Sequence, residues 1–378
     1  METIKFLNDY LSNSDLDTLV ALDALQYLKD ELGIKFSLFE EYNLIVLNYD
    51  QIESAKFKTH PIVCECRSLV ITFDQGVFEV VSRSFDRFFN HGEVEIGESC
   101  VQLTAYEKLD GSLIGIFYWE GEWLFRTKSM IMPVGEINGL DVTWDSLVLP
   151  LIDFDYMNEC IRFDDEFVNQ TFICELVGPA NRVVVRYQEP ALRLLSIRNK
   201  DGEYCDFTYE DMFASGMGWD RPIREHFSSF EEAMEAAKNL PNLEEGYVFY
   251  DEEHNKPVLK LKNPAYVVAH HLRGEGVLND KRVCDLIIMG EIDEYLSVFP
   301  EDDQLIAPYV KGFKDLKYCV RVQWSLAKDI VSQKEFAMEV KDSPTASLLF
   351  SMRKGLSFEE AWSKLTQNAK RQMILKFK

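Results

Sequence analysis

The chain has 378 residues, 47% of them hydrophobic and 13% aromatic, enough apolar material for a large buried core and a length that predicts two domains, with three also compatible. A formal charge of −24 excludes a general basic coat for nucleic acid, since Lys and Arg facing phosphate supply most non-specific affinity; it leaves room for an acidic shell around one basic groove. No run of about 18 apolar residues occurs, and Met1-Glu2-Thr3-Ile4-Lys5-Phe6 lacks a secretory pattern, so no membrane role and a cytoplasmic location are expected.

Eight cysteines contain no CxxC pair and six histidines show no metal-ligand spacing, which argues against a zinc module and a disulfide scaffold. Cys64 and Cys66 flank Glu65 and would face opposite ways if this segment is a strand.

From about residue 43 to 265 short apolar runs alternate with turn residues, which predicts strands. Ser68 to Phe73 runs into Asp74-Gln75-Gly76, and a hairpin is expected from Leu113–Tyr118 and Trp123–Thr127 across Glu120-Gly121-Glu122. Ser229 and Glu232 have capping-box spacing before Ala233, Met234, Ala236 and Ala237, so one helix is expected over 229–239. After about residue 266 the pattern turns helical, with Phe313, Leu316, Val320, Trp324, Ala327 and Val331 on one face. A further helix is expected near Ser357, with Glu360 three residues on. The expected division is 1–265 and 266–378.

Lys108-Leu109-Asp110-Gly111-Ser112 places a lysine before an Asp-Gly pair, which alone reads as a hairpin turn. An ordered series of charged, strand-like segments accompanies it. Glu65-Cys66-Arg67 and Ser82-Arg83-Ser84-Phe85-Asp86-Arg87-Phe88-Phe89-Asn90 lie upstream. Downstream follow Phe125-Arg126-Thr127-Lys128, Cys174-Glu175-Leu176-Val177-Gly178-Pro179, Glu245-Gly246-Tyr247-Val248 and Leu259-Lys260-Leu261-Lys262. Lys260 and Lys262 alternate with leucine and share a strand face.

This series resembles the nucleotidyltransferase superfamily of ATP-dependent ligases and capping enzymes, whose KxDG lysine precedes acidic, EG and KxK elements. It is most similar to the bacteriophage tRNA-repair RNA ligases, the RNA ligase 1 type, over roughly residues 43 to 270. Ser82 through Asn90 looks like that family's SRP-x-x-KFFN element, and Pro179-Ala180-Asn181-Arg182-Val183-Val184 with Tyr187-Gln188-Glu189 adds a further link. Arg87 stands where the family usually has lysine, and Leu47, beside Asn48-Tyr49, where an aromatic near adenine is usual.

The resemblance implies an α+β fold: an antiparallel-sheet, ATP-grasp-like nucleotidyltransferase domain followed by an all-helical domain with an RNA-recognition role. It implies Lys108 as the nucleophile toward ATP, with Asp110, Glu175, Glu245 and Lys128 also catalytic. Arg67, Arg87, Phe89, Gly111, Gly246, Lys260, Lys262 and Tyr266 would bind the nucleotide, with adenine stacking assigned to Tyr266. The metal, Mg²⁺ or Mn²⁺, would sit on Glu175 and Glu245, with Asp293 a further contact; Asp110 is open to metal, ribose or lysine-orienting roles. The implied partners are RNA ends, above all a cleaved tRNA anticodon loop, with no obligate protein partner. DNA nick sealing, GTP-dependent capping and a catalytically silent RNA binder are the competing readings.

A nucleophilic amine must be neutral, yet lysine normally titrates near about 10.4. Lys260, Lys262, Lys128, Arg67 and bound metal are therefore expected to depress Lys108.

Overall fold

The computed structural model describes residues 1–12, 18–94, 104–138, 140–274 and 278–378; Cys100 lies outside them. The chain forms two compact units, Met1–Val268 and Ala269–Lys378. The first holds three sheets and the second is built from helices, an α+β architecture in which strand pairing is antiparallel except at one short edge.

The first sheet runs in order β1 (Ile34–Phe39), β2 (Leu44–Tyr49), β3 (Arg67–Asp74), β4 (Val77–Ser82). Period-two alternation sorts its residues onto two buried faces. Ile45, Leu47, Leu69 and Ile71 meet Leu7, Leu25 and Leu28 of α1 (Glu2–Ser12) and α2 (Thr18–Leu32). Leu44, Val46, Val70 and Val81 face Phe117 and Leu124 of the second sheet. A short α3 (Pro61–Glu65) precedes β3, so Cys64 and Cys66 flank a helix end rather than occupying a strand. Glu65 accepts bonds from the Glu2 and Thr3 amides and the Thr3 hydroxyl, tying down the start of α1.

The third sheet, order β11 (Arg224–His226), β6 (Thr104–Glu107), β12 (Gly246–Asp251), β13 (Lys256–Lys262), β5 (Phe89–Asn90), is covered by α7 (Phe230–Lys238) through Ala233 and Ala237. The second sheet has order β10 (Ala191–Asn199), β9 (Gln170–Val177), β7 (Ser112–Trp119), β8 (Glu122–Arg126). Its outer face packs on α4 (Trp144–Val148), α5 (Phe154–Phe163) and α6 (Phe207–Met217). The β7–β8 turn uses Glu120 and Gly121, both at positive φ, as expected for a two-residue hairpin. On α7 the cap is shared: Ser229 accepts from the Glu232 amide, but the Glu232 carboxylate returns to Ser228 instead of Ser229.

Lys108-Leu109-Asp110-Gly111 is not a hairpin turn. It carries the chain from β6 in one sheet to β7 in another, which puts Lys108 in the gap between sheets. Gly111 is needed for close approach, since a Cβ there would sit 2.2 Å from the Leu176 carbonyl oxygen. Gly111→Ala is expected to lower stability by about 2–3 kcal/mol, read as a Tm lower by about 5–10 °C, because the obstacle is strand backbone that cannot rotate away.

In the second unit, reached through α8 (Pro264–Arg273), α9 (Asp280–Met289) and α10 (Ile292–Val298) precede the long α11 (Asp303–Ala327). Leu316, Val320 and Ala327 of α11 enter a core with Phe336 of α12 (Gln333–Val340), Leu348 of α13 (Ala346–Arg353), Ala361 of α14 (Phe358–Ser363) and Met373 of α15 (Gln367–Phe377). The expected stripe stops at Ala327: the helix ends there and Val331 is 94% exposed. Ser357 and Glu360 form a complete capping box at the start of α14.

Candidate active site

Strand register builds the centre. Tyr247 of β12 pairs with Glu107 of β6, so the next residue along, Lys108, lies opposite Gly246 and donates its amide to the Gly246 carbonyl at 2.8 Å. Gly246 has φ +135° and a Cβ there would lie 2.0 Å from the Leu261 carbonyl oxygen, so only glycine fits this crossing. Glu245, one residue earlier, is thereby fixed beside the lysine. Lys108 Nζ donates to Glu245 Oε2 at 2.7 Å, and Lys262 Nζ lies 2.8 Å from Oε1. The β12–β13 pairing sets Lys260 opposite Val248 and Lys262 opposite Gly246, so both lysines reach the same cavity.

That cavity, about 360 Å³, is lined by Lys108, Glu175, Arg67, Lys260 and Lys262. Phe85, Phe88, Tyr106, Tyr250 and Pro222 supply apolar wall. A larger hollow of about 650 Å³ beside the β12–β13 turn is lined by Glu203, Asp206, Asp251, Glu252 and Glu253 and does not reach Lys108.

The electrostatics correct one expectation. Burial pushes the Lys108 ammonium down, but Glu245, Glu175 and Asp110 together outweigh it and leave the pKa raised. Lys260 is the depressed lysine: burial, with Arg67, Lys108 and Lys262 nearby, brings it down to about 6. It lies over the Phe88 ring, 4.3 Å from the centroid, and forms no ion pair with a carboxylate among the described residues. Glu245 is held below the usual carboxylate range, because its two lysines overcome the effect of burial.

Glu175 has the opposite setting. It forms no hydrogen bond or ion pair among the described residues, and burial, with Glu245 and Asp110 nearby, pushes it up to about 8 despite Lys108. Between pH 4.5 and 8 the folded state holds this proton while the unfolded state has lost it, so stability falls as pH rises. Glu175→Gln stays neutral throughout. It is expected to melt about 2–5 °C above the wild-type chain at pH 8 without metal and to match it at pH 5.

Asp110, which the sequence leaves open to metal, ribose or lysine-orienting roles, has both carboxylate oxygens engaged within the protein. Its Oδ2 accepts the Val184 and Val185 amides, each at 2.7 Å, and its Oδ1 accepts the Tyr266 hydroxyl at 2.7 Å. At 3% exposure its lone pairs are committed to holding the 182–187 segment and α8. Tyr266, 2% exposed, serves Asp110 and is not in the cavity wall, so the adenine-stacking assignment fails in this conformation. Leu47 belongs to the core.

Arg87 stacks 4.4 Å from the Tyr49 centroid and lies 3.5 Å from Glu93; neither it nor Phe89 lines the cavity. Phe88, one residue from the expected Phe89, does. Lys128 lines an adjoining cavity with Arg67 and Lys260. Asp293 is exposed in the first turn of α10, in the second unit. Sequence reasoning assigned no role to Tyr106 and Tyr250, which read as ordinary strand aromatics, or to Arg126, which is 0% exposed with no hydrogen-bond partner for any guanidinium nitrogen among the described residues.

A comparison with known families matches residues 65–266, more than half of the chain, to the model for the T4-type RNA ligases. The chain belongs to this RNA ligase family. A relative in Autographa californica nuclear polyhedrosis virus, named for polynucleotide kinase and RNA ligase activities, is 32% identical over 94% of this chain. This chain spans about half, 52%, of that relative's length. The RNA ligase of Rhodothermus phage RM378 is 22% identical, covering 77% of this chain and 81% of its own. An archaeal ATP-dependent RNA ligase of known structure superposes with a TM-score of 0.47 at 16% identity, over 66% of this chain and 63% of that one.

Among the described residues no group of three or more His, Cys, Asp or Glu is arranged to hold a metal. A divalent ion nevertheless suits Glu175. That carboxylate forms no ion pair among the described residues, stands near Glu245, and Mg²⁺ commonly takes only one or two protein oxygens and keeps its waters.

Proposed function

We propose that this member of the family is an ATP-dependent RNA ligase that joins 5′-phosphate and 3′-hydroxyl ends, with Lys108 as the residue that carries AMP. The observation behind this reading is the Lys108–Glu245–Lys262 relay beside an aromatic-walled cavity that also holds Glu175, Arg67 and Lys260. One end of such a cavity suits a purine base and the other a triphosphate.

In the resting arrangement Glu245 keeps Lys108 protonated and pointed into the cavity. Glu175 and Glu245 would hold a divalent ion, which would supply positive charge to the phosphates. Burial disfavours the Lys108 ammonium, so the amine becomes neutral wherever the Glu245 carboxylate does not hold its proton. The amine then attacks the α-phosphorus of ATP: the N–P bond forms as the bond to pyrophosphate breaks. Arg67 and Lys260, neither paired with a carboxylate among the described residues, take up the charge on the leaving phosphates. AMP then passes to an RNA 5′-phosphate and is displaced by a 3′-hydroxyl. Asp110 and Tyr266 position the lysine loop without touching the reacting atoms.

The charge distribution favours RNA as the polymer. Residues 269–378 carry 17 Lys and Arg against 16 Asp and Glu, so the acidity of the chain lies in residues 1–268. After residue 304 the count is 14 basic to 7 acidic, a local surplus that suits a polyanion in the helical unit. Helices following β13, where a DNA ligase or capping enzyme would place an OB barrel, weigh against those two readings.

A tRNA-repair role follows from the same reading and is tested by sealing rates on a nicked tRNA anticodon loop, a linear single strand and a nicked duplex with identical ends. The anticodon substrate is expected to be fastest. A clear win for the nicked duplex rejects the repair assignment, and labelling by GTP in place of ATP rejects the ligase.

A further inference from the structure

Next to the Lys108 cavity lies a second one of about 440 Å³ that shares Gln51, Arg67, Gly111, Leu113 and Lys260 with it. Its own walls add Tyr49, Ser112, Thr127, Lys128 and Trp144. In a chain with 64 acidic residues, none lines this space. Its three basic side chains, Arg67, Lys128 and Lys260, form no ion pair among the described residues, and Arg67 Nη1 is buried with no hydrogen-bond partner among them. Near Arg67, Arg126 at the end of β8 is wholly buried, with no hydrogen-bond partner for its three guanidinium nitrogens among the described residues. Lys128 is exposed and Arg67 half-buried, so both can reach an anion that enters the space, and such an anion would also give the buried Arg67 Nη1 an acceptor.

Trp144 gives the space a second character. A capping box between Thr143 and Ser146 fixes the first turn of α4, and the indole packs against the core of the second sheet while lining the cavity. The Lys108 cavity already has aromatic wall for one base in Phe85, Phe88, Tyr106 and Tyr250. An aromatic side chain beside unpaired cations, joined to the reacting centre, matches a second nucleotide.

We propose that this cavity seats the 5′-terminal nucleotide of the RNA strand that receives AMP, its phosphate on Arg67 and Lys128 and its base against the Trp144 indole. The inference rests on the ligase reading above. From this seat a 5′-phosphate oxygen attacks the phosphorus carried by Lys108: a P–O bond forms, the P–N bond breaks, and the amine takes up a proton.

The test uses the full chain, Mg²⁺, labelled ATP and a 5′-phosphorylated decaribonucleotide. Trp144→Ala should raise KM for the RNA in AMP transfer by about 5- to 100-fold, the range for loss of one base stack, with Lys108 self-labelling at the wild-type KM for ATP. Trp144→Phe should restore most of the RNA affinity. Tryptophan fluorescence of the wild-type chain should be quenched as the RNA is added, and Trp144→Phe should lose that quench. An unchanged KM for RNA in Trp144→Ala overturns the proposal, as does a rise confined to KM for ATP, or an equal quench in Trp144→Phe. Absence of any self-labelling in the wild-type chain overturns the ligase reading itself, a different failure from a Trp144 without effect.

Discussion

Lys108→Ala should abolish covalent labelling of the protein by α-labelled ATP and Mg²⁺, a loss of about 10⁴-fold or more. The size follows from chemistry. Neither neighbouring amine stands in its place: Lys260 sits over Phe88, and Lys262 reaches the other oxygen of Glu245. Lys108→Arg should fail equally, since a guanidinium stays protonated and cannot act as the nucleophile. The fold should survive, because the lysine side chain is 22% exposed and its removal leaves Glu245 paired with Lys262. Acid-stable, hydroxylamine-sensitive label on the alanine variant would assign the nucleophile elsewhere.

The second large effect concerns Glu245, and it separates two roles of one side chain. Glu245→Gln removes the counter-ion of two lysines at a site that is 5% exposed, a stability cost of about 3–5 kcal/mol, measured by denaturant unfolding. Labelling by ATP should fall by about 10²–10³-fold with the loss of a metal-facing charge. Yet the largest influence that raises Lys108 is then gone while burial remains, so its pKa should drop. At pH 8 the variant's Lys108 should react faster than the wild-type residue with a small amine-selective reagent, followed by peptide mapping. Equal or slower modification would show that the ion pair is not what keeps this amine protonated. In the wild-type chain the same pair stabilises the fold at neutral pH. Its contribution is lost as pH rises through the raised Lys108 pKa, or falls through the depressed Glu245 pKa.

Both outcomes depend on what surrounds Lys108, and there the line between sequence and tertiary structure is clear. Order and residue type alone supplied the strand-rich region, the helical region, the hairpin at Glu120-Gly121 and the Ser357 cap, because these follow from local periodicity and turn chemistry. The motif series likewise named the charged residues of the Lys108 cavity except Glu107, since a strand that puts lysine or glutamate where apolar residues are expected stands out in one dimension. Signs of interaction were beyond it. Whether Lys108 is raised or lowered depends on whether a carboxylate or an ammonium is nearer, and register places Glu245 at 2.7 Å. Asp110 and Tyr266 looked like ligand contacts until the fold gave each the other as a partner. Phe88 and Phe89 are indistinguishable by composition, and the turn into β5 puts only Phe88 in the wall. Arg126 stood in the motif series without a role of its own, and Trp144 carries no local signal: their meaning comes from burial without a hydrogen-bond partner among the described residues and from which cavity a side chain borders, and both are properties of packing between segments far apart in the chain.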